Sequence, residues 1–227
     1  QTLGDFVFKY EKRFNADLIM IMTKKEELSL SNNISVTARY IINNSEIPVM
    51  SIRPKEQKHL TGPTIGFWLM LLLNNLQKLC IDNGVSISVA ESITSGSISV
   101  NLTKNSGSSS YFKGGVIAYQ NEIKTKILGV SQLIIDEKTE VSSEVVKQMA
   151  VSVLEIFNTD FSIATSGYAG PTGGTIKNPI GTVFIAIASV LGVVVSRYVF
   201  LGNRQSIVSQ SSERALSSLY AEIKKQQ

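Results

Sequence analysis

Apolar and polar positions alternate differently in two parts of this chain, and residues 1–55 form the shorter part. Apolar side chains at helical spacing are interrupted by two apolar runs, at residues 16–23 and 47–54, which are typical of short strands. This order predicts a small αβαβ half-domain. Two strands cannot bury both faces of a sheet by themselves, so we expect residues 1–55 to pack on the rest of the chain or on a second copy of it.

A longer alternation of helices and strands occupies residues 65–227, after a charged linker at residues 56–64. Its pattern predicts an apolar helix that ends at Gly84, an amphipathic helix capped by Ser142, and a last helix that begins near Arg204. Between these helices we predict strands at residues 85–90, 114–119, 161–166, 182–188 and 193–200. The fold class is therefore α/β, with a largely buried sheet.

Composition narrows the class of partners. Apolar residues make up 43% of the chain, and the net charge of +4 is spread without a run of five like charges, which gives no support for nucleic-acid binding. The apolar segment Ile65–Leu73 is much shorter than the roughly 20 residues that cross a bilayer, and no secretory signal opens the chain. The single cysteine, Cys80, fits a reducing compartment. We therefore expect a cytoplasmic protein without nucleic-acid or membrane partners.

The stretch Ser86–Ser97 carries the first candidate for chemistry. A predicted strand runs into Glu91 and Ser92, and a short serine-rich helix follows. In α/β sheets this strand-to-helix point is where ligands bind, and the backbone N–H groups of Thr94, Ser95 and Gly96 are expected to be free for an anion. The alternative is that Ser92 and Thr94 only cap the helix.

A glycine-rich stretch, Ser166–Gly174, follows another predicted strand. A backbone with so many glycines can approach an anion closely, although a plain turn explains it equally well. The stretch lacks the Gly-Lys-Ser/Thr ending of a P-loop, and no Gly-x-Gly-x-x-Gly follows a strand. These motifs therefore indicate no dinucleotide cofactor.

A nucleophilic serine needs a base, and the chain offers few. The single histidine, His59, lies in the polar linker, which leaves a carboxylate or a neutral lysine as the base. Lys124 follows the strand that is predicted to end at Tyr119, at the same sheet edge as Ser92 if the two strands are parallel neighbours. It qualifies only if burial or a cationic neighbour lowers its pKa; otherwise it is a surface lysine. The scarcity of histidine and cysteine also excludes most metal sites.

Six motifs occur in an order that resembles the C-terminal domain of the competence/damage-inducible protein CinA, a family that includes nicotinamide-nucleotide amidases. The resemblance covers about residues 72–223, and the motifs are AESITSG, GSSSYFKGGVIAYQNEIKTKILGV, VSSEVVKQMA, ATSGYAGPTGG, NPIGTVFIAIA and FLGNR. It implies a three-layer α/β/α fold. It also implies hydrolysis of the carboxamide of nicotinamide mononucleotide to nicotinate mononucleotide and ammonia, without a cofactor.

The same resemblance assigns roles to individual residues. Ser92 is implied as the nucleophile and Lys124 as the group that assists it, while Thr94 and Tyr119 are implied close to the reacting atoms. Arg204 is expected to grip the phosphate of the nucleotide with two hydrogen bonds. The remaining substrate-binding residues are expected to be Glu91, Ser95, Gly96, Gly170, Gly173 and Gly174.

Four positions depart from the family pattern. The family usually has cysteine and glycine where this chain has Ile93 and Ser95, and aspartate where it has Thr172 and Asn203. Two alternatives therefore stay open beside the amidase. One is a nucleotide-binding or regulatory protein without turnover, and the other is a serine amidohydrolase that acts on a different small amide.

Residues 1–55 resemble the C-terminal half of a universal stress protein, most closely at residues 16–23 and 41–54. Members of that family that bind ATP carry a glycine-rich loop after the corresponding strand, whereas residues 23–32 contain no glycine. We therefore expect no nucleotide site in this part, and we expect the whole chain to form a homo-oligomer.

Overall fold

The computed structural model describes residues 19–22, 41, 49–52 and 63–226. The chain divides into two units, Gln1–Gly62 and Pro63–Gln227, and the point of division lies inside the predicted linker at residues 56–64. His59 and most of the N-terminal half-domain lie outside the described residues.

The described part of the first unit is a pair of parallel strands. Strand β1 (Ile19–Met22) pairs with β2 (Val49–Ile52), and Ile19 lies opposite Val49. Both strands fall within the apolar runs from which they were predicted. Of the helices predicted around them, the described residues include only Ile41, which is helical. The resemblance to a universal stress protein and the packing against a second copy stay predictions.

The second unit alternates helices and strands as the apolar pattern predicts. It opens with a 21-residue helix that ends next to Gly84 and closes with a 22-residue helix that begins at Arg204, both as predicted. In chain order its elements are α1 (Pro63–Asn83), β3 (Ile87–Glu91), α2 (Ser97–Leu102), a 3₁₀ turn (Ser108–Ser110), β4 (Phe112–Ile117), α3 (Asn121–Lys126), α4 (Gln132–Lys138), α5 (Ser143–Phe157), β5 (Phe161–Gly167), β6 (Thr182–Ser189), β7 (Gly192–Val199) and α6 (Arg204–Lys225).

Five strands of this unit form a mixed sheet in the order β4-β3-β5-β6-β7. Strand β3 runs parallel to both β4 and β5, whereas β6 and β7 are antiparallel to their neighbours. Only residues 190–191 separate β6 from β7, which is too short for the crossover that a parallel pair needs. The parallel pairing of β3 with β4, on which the placement of Ser92 and Lys124 depends, is thus present.

Helices cover both faces of the sheet, which confirms the three-layer α/β/α fold. One face packs on α1, α2 and α6 through branched side chains of the strands such as Val89, Ile163 and Ile185. The opposite face packs on α5 through small strand residues such as Ala90 and Ala164. Alanine lets the α5 backbone approach the sheet closely, so the two faces differ in depth. On the α5 side, the hydroxyls of Ser88 and Ser162 donate to carbonyl oxygens of that helix.

The apolar helix α1 is buried over only part of its length. Leu76 and Cys80 lie in the core, whereas Phe67, Trp68 and Met70 in the earlier turns are about half exposed. Within the apolar segment Ile65–Leu73, Leu73 is buried in the core. Within the described residues, none of the helices combines the length and apolar character that a membrane crossing requires.

Candidate active site

The parallel pairing of β3 and β4 brings two distant segments to one edge of the sheet. Ser92 directly follows β3, and α3 begins shortly after β4 ends at Ile117. Glu91 and Ile117 are register partners, so both strands end at the same level. A cavity of about 350 Å³ opens at this edge, and both Ser92 and Lys124 line it. The structure thus brings together the two residues proposed as nucleophile and base.

Ser92 is held by its backbone and presents its side chain to the cavity. Its N–H donates to the carbonyl oxygen of Thr165 on the neighbouring strand β5, at 3.1 Å. The residue is only 8% exposed. Its hydroxyl makes no hydrogen bond with any residue between 63 and 226. This hydroxyl is therefore not used as a helix cap.

Lys124 is the least expected feature of the cavity, because it is a lysine that is 1% exposed. Its Nζ donates to Oδ1 of Asn121 at 3.1 Å, one helical turn earlier in α3. Burial lowers the pKa of Lys124 from its usual value, and the carboxylate of Glu140 partly opposes this effect. Both groups line the cavity. Lys124 therefore meets the condition for a lysine base, because burial lowers its pKa.

Ser92 and Lys124 share the cavity without a direct hydrogen bond between their side chains. Catalytic hydrogen bonds are often long in free enzymes and shorten when substrate is bound. Both side chains therefore remain candidates for chemistry in this cavity.

Glu91 lies outside the cavity and caps a helix, although the sequence predicts a substrate-binding role for it. Its carboxylate is fully buried and accepts hydrogen bonds from the N–H groups of Gly96, Ile98 and Ser99 at 2.9, 3.1 and 2.8 Å, and from the Ser99 hydroxyl at 2.7 Å. It caps the N-terminus of α2, where a carboxylate is favoured. The expectation that the N–H groups of the preceding turn are free for an anion is therefore wrong at Gly96, and also at Ser95, whose N–H donates to the Ser92 carbonyl at 3.3 Å.

The next residues of the turn also face away from the cavity. The Thr94 hydroxyl is buried and shares a 2.8 Å hydrogen bond with the Thr165 hydroxyl, and Thr94 does not line the cavity. Ser95 is exposed with a backbone φ of 49°, and its hydroxyl donates to the Ser92 carbonyl at 3.3 Å. Neither side chain is placed to contact a ligand in the cavity. Their hydrogen bonds stabilise the turn that carries Ser92.

Tyr119 and Arg204 form the exposed side of the cavity. Arg204 opens α6, and its Nη2 donates to the Tyr119 hydroxyl at 2.6 Å while its Nη1 donates to the Gly170 carbonyl at 2.9 Å. Both side chains line the cavity. A guanidinium has five N–H donors, so three of them stay available for a phosphate. Tyr119 lies two residues beyond β4, because that strand ends at Ile117 and not at Tyr119 as predicted.

The glycine-rich stretch contributes to the site mainly through its beginning. Gly167, Tyr168 and Ala169 line the cavity, whereas Gly170, Gly173 and Gly174 do not. A Cβ at Gly167 would lie 2.6 Å from the carbonyl oxygen of Thr182, so only glycine fits at this wall. The three predicted glycines lie next to the site, and Gly170 is tied to it through Arg204.

Several lining residues were missed by reasoning from the sequence. Gln120 and Asn121 lie beside Lys124, in a motif that was recognised without assigning them a role. Glu140 and Ser166 come from different elements, and the Ser166 hydroxyl donates to the Glu140 carbonyl at 2.6 Å. The position of Glu140 between α4 and α5 carries no periodic signal, so only the folded chain reveals it.

The four departures from the family pattern lie in different surroundings. Asn203 caps α6, with its Oδ1 accepting from the Ser206 N–H at 2.9 Å, which is a role that aspartate also fills. Thr172 is exposed and does not line the cavity. Ile93 is buried and forms part of the cavity wall. Of the four, Ile93 is thus the one whose side chain borders the candidate site.

Within the described residues there is no group of three or more histidine, cysteine, aspartate or glutamate side chains that could hold a metal ion. The polar side chains that line the cavity include those of Ser92, Lys124 and Arg204, together with two tyrosines and two glutamates. Fold and site together define a three-layer α/β/α domain with a serine–lysine cavity at the carboxyl ends of its parallel strands.

Comparison with known proteins identifies the family. The model of the CinA C-terminal domain matches residues 71–223, and the chain belongs to this family. CinA-like proteins of Flavobacterium psychrophilum and Fervidobacterium nodosum are 42% and 45% identical to it over 150 and 142 residues, which are 66% and 63% of this chain. These regions are 36% and 35% of those relatives, so the chain spans about a third of their length.

Solved structures show the same fold. The competence/damage inducible protein CihA from Agrobacterium tumefaciens is 30% identical, with a TM-score of 0.66 over 67% of this chain and 94% of that one. A CinA superfamily protein from Enterobacter cloacae is 32% identical, with a TM-score of 0.66 over 75% of this chain and 98% of that one. Nearly the whole of each of these proteins therefore corresponds to part of this chain.

Proposed function

We propose that this domain hydrolyses the carboxamide of nicotinamide mononucleotide to nicotinate mononucleotide and ammonia. The observation that carries the proposal is the buried Lys124, whose pKa is lowered by burial and which shares a cavity with the unpaired hydroxyl of Ser92. A structural lysine gains nothing from such burial, because the charged form loses its hydration. Membership of the CinA family, which includes nicotinamide-nucleotide amidases, supports the choice of substrate.

The reaction proceeds through an acyl-enzyme. The Ser92 Oγ attacks the amide carbon and forms a C–O bond, while its proton passes to the neutral Nζ of Lys124. The ammonium of Lys124 then protonates the departing nitrogen, the C–N bond breaks, and ammonia leaves. Water attacks the resulting ester with Lys124 again taking the proton, which releases the carboxylate and restores the Ser92 hydroxyl.

Stabilisation of the oxyanion cannot come from the N–H groups of Gly96, Ile98 and Ser99, since the Glu91 carboxylate accepts from them. The N–H of Ile93, the residue after the nucleophile, donates to no residue of the described second unit, and Ile93 lines the cavity. We assign this N–H as an oxyanion donor, a contribution of about 3 kcal/mol to the barrier. The free N–H donors of Arg204 bind the phosphate.

The test is ammonia release from nicotinamide mononucleotide by the purified chain. Ser92→Ala and Lys124→Ala are each expected to lower kcat/KM at least about a thousandfold, with an unchanged circular dichroism spectrum. Matched controls are Ser209→Ala and Lys126→Ala, which alter an exposed serine and an exposed lysine outside the cavity lining. Full activity in either site variant would exclude the serine–lysine mechanism.

The same assay separates the alternative functions. If calorimetry shows that the nucleotide binds but no ammonia appears, the domain is a nucleotide-binding or regulatory protein without turnover. Ile93 in the cavity wall is the departure that favours this alternative. If ammonia appears only with other small amides, the domain is a serine amidohydrolase of different specificity.

A further inference from the structure

Asn121 is the direct hydrogen-bond partner of the buried lysine. It is the first residue of α3, and its Oδ1 accepts from the Lys124 Nζ at 3.1 Å. The spacing of three residues places both side chains on one face of the helix. Within residues 63–226 this is the one hydrogen bond that the Lys124 side chain makes.

The surroundings of Lys124 favour its neutral amine. An ammonium group has three N–H donors, but the described residues offer one neutral acceptor and no carboxylate within 4.0 Å. On its own helix, Glu122 forms its ion pair with the exposed Lys126. The charged or titratable groups that line the cavity with Lys124 are Tyr119, Glu122, Glu140, Tyr168 and Arg204. Of these, the Glu140 carboxylate is the one that favours the ammonium form.

We propose that Asn121 is a positioning residue, which fixes one N–H of the Lys124 amine and so turns its lone pair toward the Ser92 hydroxyl across the cavity. The inference rests on the proposed function, because it concerns the base of that reaction. An amine with a free side chain rotates about its terminal bonds, and a single fixed hydrogen bond removes much of that freedom. A neutral amide does this without adding a negative charge beside the amine.

Two substitutions of Asn121 distinguish the effect of the hydrogen-bond acceptor from the effect of an added negative charge. Asn121→Asp keeps an oxygen at the same place but adds a carboxylate, which favours the ammonium form of Lys124. Activity should therefore fall about tenfold at neutral pH and return as the pH is raised. Asn121→Ala removes the acceptor without adding charge. Its kcat should fall about tenfold at every pH, with KM within about twofold of the wild-type value, because the substrate is still bound.

The experiment measures kcat and KM for ammonia release from pH 6 to pH 10 in both variants and in Asn105→Asp. Asn105 lies outside the cavity lining, and its Nδ2 donates to Oδ1 of Asn74, so this control makes the same exchange away from the cavity. We expect kcat to recover at high pH in Asn121→Asp but not in Asn121→Ala. Full kcat in Asn121→Ala at every pH, or equal profiles for Asn121→Asp and wild type, would overturn the inference.

A second readout needs no turnover. The rate at which acetic anhydride acetylates Lys124 is measured by peptide mass spectrometry over the same pH range, since only the neutral amine reacts. Asn121→Asp should require a higher pH for labelling, while Asn105→Asp should match the wild type. If no protein releases ammonia but labelling shifts in this way, the proposed reaction is wrong and the control of Lys124 by Asn121 stands. An unshifted labelling profile overturns the inference whatever the activity.

Discussion

Replacing Glu91 by glutamine tests whether this buried carboxylate supports the structure or binds substrate. The carboxylate accepts four hydrogen bonds from the first turn of α2, and two fall on each oxygen. Glutamine keeps one acceptor oxygen and replaces the other by a donor, so two bonds are lost and the rest become neutral. At about 1.5 kcal/mol for each lost bond to a charged group, the free energy of unfolding should fall by roughly 3 kcal/mol.

The decrease in the free energy of unfolding of Glu91→Gln is measured by urea denaturation followed by far-UV circular dichroism. The Tm of this variant should be lower than that of the wild type by roughly 6–12 °C. Glu155→Gln, on the exposed face of α5, is the matched control and should change stability by less than about 0.5 kcal/mol. Well below the transition, Glu91→Gln should keep KM within a few-fold of wild type. Unchanged stability with a KM raised more than about tenfold would refute the reasoning, and would restore the substrate-binding role that the motif suggests.

Three further predictions concern stability. Ser95→Gly should raise the free energy of unfolding by about 0.5–1 kcal/mol, because Ser95 has a φ of 49° that favours glycine; a lower Tm in this variant would contradict that origin. Asn203→Asp should leave kcat/KM and Tm nearly unchanged, whereas Asn203→Ala should lose about 1 kcal/mol of stability by removing the helix cap; a large gain of activity in Asn203→Asp would show a role in the site. Lys124→Met should raise Tm at neutral pH while abolishing activity. The pKa of Lys124 is lowered in the folded state, so the wild-type protein becomes more stable as the pH rises from that lowered pKa toward the pKa of the unfolded chain. The difference in stability between Lys124→Met and wild type should therefore shrink over this pH range. The control Lys126→Met should show no such pH dependence.

The sequence by itself predicted the five strands and the three longest helices of the second unit. The branched apolar runs of β5 and β6 and the helical spacing in α5 and α6 report burial directly, because each element must hide one face or both. Ser142 caps α5 as its position indicates, with its side chain accepting from Val145 N–H. The order of motifs was also sufficient to indicate the CinA family, which the match over residues 71–223 confirms.

Tertiary structure alone decided which of the motif residues reach the cavity. Glu91 and Thr94 flank Ser92 in the chain, yet their side chains turn inward to satisfy N–H and hydroxyl groups of the turn, which no sequence period encodes. Glu140 enters the cavity from a segment without periodicity. Burial of Lys124, which is 1% exposed, is likewise a property of the folded chain. The local spacing of apolar residues determines which face of an element is buried. Contacts between distant segments determine which groups a polar side chain bonds to, and the chemistry of this cavity depends on those contacts.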